Sequence, residues 1–204
     1  MVSRSVTMKA VLAGAAALAL AFGAVPAGAA SDPAASTIES LDAHTLAIMK
    51  EGQGFRGRYA KLKPVLEQAL DLPAMTRFAV GPTWASMSEA QHQALITAFT
   101  RMTVSLYAHN FAGYDGQKFE VGAVQTRGPD KLVLTKIIPA NGKAVDLTYR
   151  MRQSGSTWKV IDVFYQGTIS DLTTRRSDFA ATLAKGGEPA LVEHLNALSD
   201  KLAK

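Results

Sequence analysis

Asp162 is the acid of this chain that most invites a chemical role. The residues around it, Trp158-Lys-Val-Ile-Asp-Val-Phe-Tyr165, read as a buried strand. A carboxyl held among apolar groups has its pKa pushed upward and can then act as a general base. That is the enzyme reading, and no second reactive group stands at a fixed spacing from Asp162 to complete it. Buried carboxylates are usually paired. The plainer role is therefore a hydrogen-bond acceptor, or the ion-pair partner of Arg150 or Arg152 on a neighbouring strand. His44, His92, His109 and His194 stand far apart, whereas a metal site needs clustered ligands. The chain has no cysteine, so thiol nucleophiles, Cys-containing zinc sites and disulfides are excluded. Phosphate-loop, dinucleotide and serine-elbow motifs are missing as well. Arg175 and Arg176 are adjacent, which on a helix points them about 100° apart. They are expected on a solvated surface, with contact to a partner or a lipid headgroup as the sharper reading. What remains is a set of large apolar residues, Phe99, Met102, Tyr107, Phe111, Tyr149, Met151, Val163 and Tyr165. Such residues pack helices on a sheet, and the same types line a ligand cavity.

The elements that must position these residues fall into two regimes. Ile38 to Lys50 places Ile38, Leu41, Thr45, Ile48 and Met49 at helical spacing, and "EGQGFRGR" interrupts it with three glycines. Tyr59, Leu62, Val65, Leu66 and Leu70 resume the helical period despite Pro64. Asp71 is placed to cap a short helix through Phe78, with Pro73 in its first turn. Ser88 and Gln91 form a capping box ahead of a long helix carrying Leu95, Phe99, Met102 and Leu106. The period then changes. Phe119–Val124, Leu132–Ile138, Ala144–Arg152 and Trp158–Tyr165 read as strands joined by "RGPD", "PANGK" and "QSGS", with Asn141-Gly142 the strongest hairpin signal. Short connections predict an antiparallel meander. Strict alternation in the last strand puts Trp158, Val160, Asp162 and Phe164 on one face. Lys159, Ile161, Val163 and Tyr165 go to the other, so both faces look dry. Two helices follow, Ser170 to Lys185 and Pro189 to Leu202, separated by Gly186-Gly187. Helices, strands, then helices predict the α+β class.

Bulk properties narrow the setting. Arg4 and Lys9 precede an apolar run of thirteen residues, Ala10 to Phe22, and "AVPAGAA" supplies small residues for cleavage. That is the layout of a secretory signal peptide over residues 1–30, and the run is shorter than the roughly 20 residues needed to span a bilayer. About 174 of the 204 residues remain, residues 31–204, enough for one domain with a sizeable core. Without Arg4 and Lys9 the formal charge falls from +5 to about +3, since no acid precedes Ala30. This is too mild for a nucleic-acid partner, and no basic patch interleaved with aromatics occurs. It is compatible with transient contact with an anionic membrane.

At "WKVIDVFYQGTISDLTTRRSDFAATLAKGGEPALVEHL" the sequence resembles the MlaC family of periplasmic lipid carriers, the toluene-tolerance type, and its hopanoid-associated branch, HpnM. The shared pattern rests on Trp158, Lys159, Val160, Asp162, Gly167, Ser170, Gly186 and Gly187. Upstream, Phe78, Gly81, Trp84, Ser88, Gln91, Phe99, Tyr107 and Tyr114 match the block from helix to first strand. The resemblance runs from about Leu41 to Leu198. Gln166 departs from it, because many members carry an acid there. The resemblance implies a curved four-stranded antiparallel sheet with helices packed around it, an NTF2-like cone enclosing an apolar cavity. It implies a soluble periplasmic carrier of phospholipid or hopanoid, exchanging cargo with membrane-embedded transport complexes and using no cofactor. The expected lipid-binding wall draws on Phe99, Met102, Tyr107, Leu134, Leu147 and Tyr149. Met151, Val163, Tyr165, Ile169 and Phe179 complete it. An adaptor that binds transporters without carrying lipid is the third alternative, and it requires a filled interior.

Overall fold

In a computed structural model of the chain, residues 32–204 are described, so the signal-peptide reading of residues 1–30 lies outside them. Five helices and a five-stranded sheet alternate in blocks, as the two periods in the sequence require: α1 (Pro33–Lys50), α2 (Phe55–Ala69), α3 (Leu72–Val80) and α4 (Glu89–Asn110) come first. The strands β1 (Lys118–Arg127), β2 (Asp130–Ile138), β3 (Val145–Ser154), β4 (Thr157–Tyr165) and β5 (Ile169–Ser170) follow, and α5 (Asp171–Leu202) closes the chain. The helix starts are set by local chemistry. Asp32 accepts the Ala34 N–H at 2.9 Å and Asp71 accepts the Ala74 N–H at 3.1 Å. Ser88 and Gln91 form the reciprocal capping box of α4. Two turns of 3₁₀ helix, Gly81–Ser86, link α3 to α4, and Trp84 in them stacks on His92 of α4 with ring centroids 3.9 Å apart. α5 is broken at Gly186 and Gly187, whose backbone angles are not helical.

The sheet is an antiparallel meander in the order β1-β2-β3-β4-β5. The expectation of four strands is corrected to five. The added strand is two residues long, too short to show a period, and it pairs Phe164 with Ser170 and Tyr165 with Ile169.

A second correction concerns β4. Arg150 pairs with Asp162, but Met151 pairs with Val160, so Ile161 is an extra residue without an opposite number, a β-bulge. One extra residue reverses side-chain direction below it. Trp158 and Val160 consequently share a face with Val163 and Tyr165, together with Leu147, Tyr149 and Met151 of β3. Both faces of β4 looked dry only because strict alternation was assumed through the bulge. β1 carries a bulge of its own between Val121 and Val124.

All five helices contribute buried side chains to one core against this face. α1 covers its lower end, near Trp158 and Val160. There Lys131 reaches from β2 to Asp32 at 2.7 Å and lies 4.7 Å from the Trp158 ring centroid. α4 is the central helix, burying Leu95, Phe99 and Met102, and the Phe99 ring meets Phe179 of α5 edge-on at 6.4 Å. Complete burial of each such side chain is worth about 1.5–3 kcal/mol. On the opposite face of the sheet, Asp130 is 1% exposed and binds two arginines. Arg150 Nε donates to it at 2.7 Å and Arg152 Nε at 2.6 Å.

Candidate functional site

At the upper end of the same sheet face the core gives way to a cavity of about 200 Å³. β3 and β4 form its floor through Val145, Leu147, Tyr149, Val163 and Tyr165, with Ile137 added from β2. α4 supplies Phe99, Thr103, Leu106, Tyr107 and Asn110, which recur at helical spacing and so point to one side. Leu70, Met75 and the first turn of α5 complete the wall. Its rim is apolar and wet: Val145 is 42% exposed and Tyr165 41%. Asp171 and Arg175, one helical turn apart, pair at 2.6 Å on this rim, and Arg175 Nη1 also approaches Met102 Sδ at 3.4 Å.

Six residues of the expected lipid-binding set meet here: Phe99, Tyr107, Leu147, Tyr149, Val163 and Tyr165. Met102 and Phe179 lie buried behind the wall, and Met151 is buried farther down the same sheet face. Ile169 stands beside Tyr165 in β5 and is 54% exposed. Leu134 is on the other face, opposite Thr148, because alternation along β2 turns Val133 and Thr135 inward. It borders a shallow groove there with Ala123 and Thr148. Thr103, Leu106 and Asn110 were not anticipated, although their spacing from Tyr107 on α4 was the available signal.

The polar groups of the site have distinct environments. Burial raises the Tyr107 phenol well above its ordinary range, and the charges of Tyr165 and Asp42 add to this. Burial does the same to Tyr149, which is 4% exposed. The two hydroxyls interact with each other. Asp42, on α1, is 8% exposed, and burial pushes its carboxyl up to about 7. Nothing about its sequence context, "SLDAH", distinguished it from a solvated helix acid.

Asp162 has the structural role foreseen for it. It accepts the Val163 N–H at 2.8 Å, the Ser170 hydroxyl at 2.7 Å and the Leu172 N–H at 3.3 Å. These bonds fasten the strand to the start of α5, where the positive end of the helix dipole favours a carboxylate. Of the two plain roles open to it, hydrogen-bond acceptor or arginine partner, Asp162 has the first, and Arg150 and Arg152 are engaged by Asp130. Arg175 is only partly solvated, at 19% side-chain exposure, and Arg176 lies 5.7 Å from the Phe78 ring centroid. Among the described residues no group of three His, Asp or Glu side chains could hold a metal ion, and no helix is long and apolar enough to cross a membrane.

A sheet floor under a helical roof, with an apolar hollow open at one end, is the arrangement of an α+β ligand-binding domain. The family model described as "MlaC protein" matches residues 39–197, and this chain belongs to the MlaC family. Among solved structures, it is similar to the phospholipid-binding protein of Ralstonia solanacearum determined in complex with a phospholipid. The two are 24% identical, the match covers 85% of this chain and 100% of that one, and the TM-score is 0.75. At that identity the likeness is one of fold. No curated protein matches.

Proposed function

We propose that the chain is a soluble periplasmic carrier that moves a lipid between inner- and outer-membrane transport complexes. Its cargo is a phospholipid or a hopanoid, and the phospholipid is preferred on the strength of the Ralstonia neighbour's ligand. The observation that carries this reading is the apolar cavity between sheet and helices in a chain of the MlaC family. The secretory layout of residues 1–30 supports export. Each methylene removed from water is worth about 0.8 kcal/mol, so a long acyl chain free in water costs on the order of 10 kcal/mol. A carrier needs an apolar enclosure and no catalytic group. The cavity, at about 200 Å³, is smaller than ordinary small-molecule sites of about 300–1,000 Å³, so uptake requires the helices to part from the sheet.

Native mass spectrometry of the protein purified from its own cells tests this. A co-purifying lipid is expected, and extraction identifies it as phospholipid or hopanoid. A clean apo mass, with no lipid taken up from vesicles, would sink the carrier reading and leave the adaptor.

A further inference from the structure

The two arms of α5 meet at Gly186 and Gly187, and they are fastened to α4 very differently. In the second arm, residues 188–202, Asn196 accepts from Arg101 Nη1 of α4 at 2.9 Å, and Asp200 pairs with the same arginine. His109 Nδ1, near the end of α4, lies 3.2 Å from the Leu202 carbonyl oxygen. The first arm, residues 171–185, runs the other way along α4, since Arg175 meets Met102 and Phe179 meets Phe99. It buries Leu172, Phe179 and Leu183. Among the described residues, the side chains of residues 173–185 make one hydrogen bond to another element, Arg175 Nη1 to Met102 Sδ at 3.4 Å. A thioether is a weak acceptor. Arg176 adds a contact with the exposed Phe78 ring.

At its upper end, by the cavity mouth, the first arm is held by Asp162. That carboxylate accepts the Ser170 hydroxyl at 2.7 Å and the Leu172 N–H at 3.3 Å. Before Ser170 the chain is a two-residue edge strand and a turn with Gln166 and Gly167 at positive φ, 49° and 74°. So short a strand is weakly held, and once released it gives the arm slack. At the lower end stand Gly186 and Gly187, and glycine takes up large backbone rotations most readily. The arm has a hinge at one end, a latch at the other and a thin attachment between them. We propose that the first arm of α5 is the gate of the cavity, swinging about Gly186 and Gly187, and that Asp162 is its latch. Displacement is greatest far from the hinge, where Asp171 and Arg175 border the mouth. These two pair within the arm and move together, so opening does not part them. The gate rests on the carrier reading for what passes it, whereas the motion itself is measurable without cargo.

Hydrogen exchange of the purified protein reads the motion directly. Amides of residues 172–183 are expected to exchange as one block, roughly tenfold or more faster than those of central α4 and the second arm. Asp162→Asn replaces charge-assisted bonds by neutral ones, and should speed that block by a further five- to tenfold, roughly, with α4 unchanged. Equal protection in the two arms, or a uniform rise throughout the molecule, overturns the gate. Control of cargo is tested with the double variant Phe164→Cys/Ser170→Cys. The two positions are partners across β4 and β5, at a separation that a disulfide spans, and the chain has no other cysteine. Uptake of lipid from phosphatidylglycerol vesicles, counted by native mass spectrometry, should be roughly tenfold slower in the oxidised variant than after reduction. Equal rates overturn the gate and leave the carrier intact. No uptake by wild type overturns the carrier, and the exchange pattern then decides the gate by itself.

Discussion

At the scale of single residues, the sequence indicated burial more readily than partnership. Asp162 was legible as a buried acid because six of its immediate neighbours are apolar or aromatic. Its partners were not, because strand register decides which acid meets Arg150 and Arg152, and that acid is Asp130 at the first position of β2. Asp42 was not legible at all. A helix acid is solvated or buried according to the rotation of its helix against the sheet. Its burial nevertheless has a measurable consequence. The carboxyl is raised from an ordinary value of 3.8 to about 7. The folded chain therefore holds a proton that the unfolded chain has released between about pH 4 and 7, and stability falls as pH rises through that window. Asp42→Asn should remove this slope and raise stability at pH 8 by about 2–4 kcal/mol, from roughly 1.36 kcal/mol per pH unit of displacement. Urea unfolding at pH 5 and pH 8 checks it. Identical pH dependence in wild type and variant would exclude a buried proton on Asp42.

At the scale of elements, the order of helices and strands and most of their boundaries followed from periodicity and caps. The faces of β4 did not, because a bulge has no signature in residue type. The break in α5 did follow, from Gly186-Gly187. Gly187 has φ 66° and ψ −158°, a region essentially reserved for glycine. A Cβ there has room, its nearest neighbour being Pro189 Cδ at 3.8 Å. The strain on substitution is therefore purely conformational. Gly187→Ala should lower unfolding free energy by about 1–3 kcal/mol, with an unchanged denaturant slope. Gly187→Asn, which tolerates positive φ only slightly better, should be little milder. A variant as stable as wild type would show that the two arms of α5 can meet at another angle.

At the scale of the molecule, core and cavity are consecutive stretches of one sheet face. α1 fills the lower stretch, and α4 with the start of α5 roofs the upper one. The sequence supplied the residue types for both stretches and could not apportion them, since packing and cavity walls draw on the same side chains. A cavity that accepts a lipid is completed by it. Ligand at a hundred times its dissociation constant stabilises a fold by about 2.7 kcal/mol. In a chain of this size that corresponds to a rise in Tm of roughly 5–10 °C. Detergent-stripped protein should melt lower than protein returned to phospholipid vesicles by this margin. Coincident melting curves would show that the hollow takes no cargo.

The extra residue at Ile161 works on this sheet as an inserted letter works on a message read in pairs. Everything from Trp158 to Val160 is in one phase and everything from Asp162 onward in the other. Reading that letter into the pairs, with Ile161 opposite Met151, would turn Trp158 and Val160 to the outside and bring Lys159 under α1. It would also part the Lys131–Trp158 contact, with no change to any residue's identity. The spelling of this strand is thus constrained in its register as firmly as in its composition.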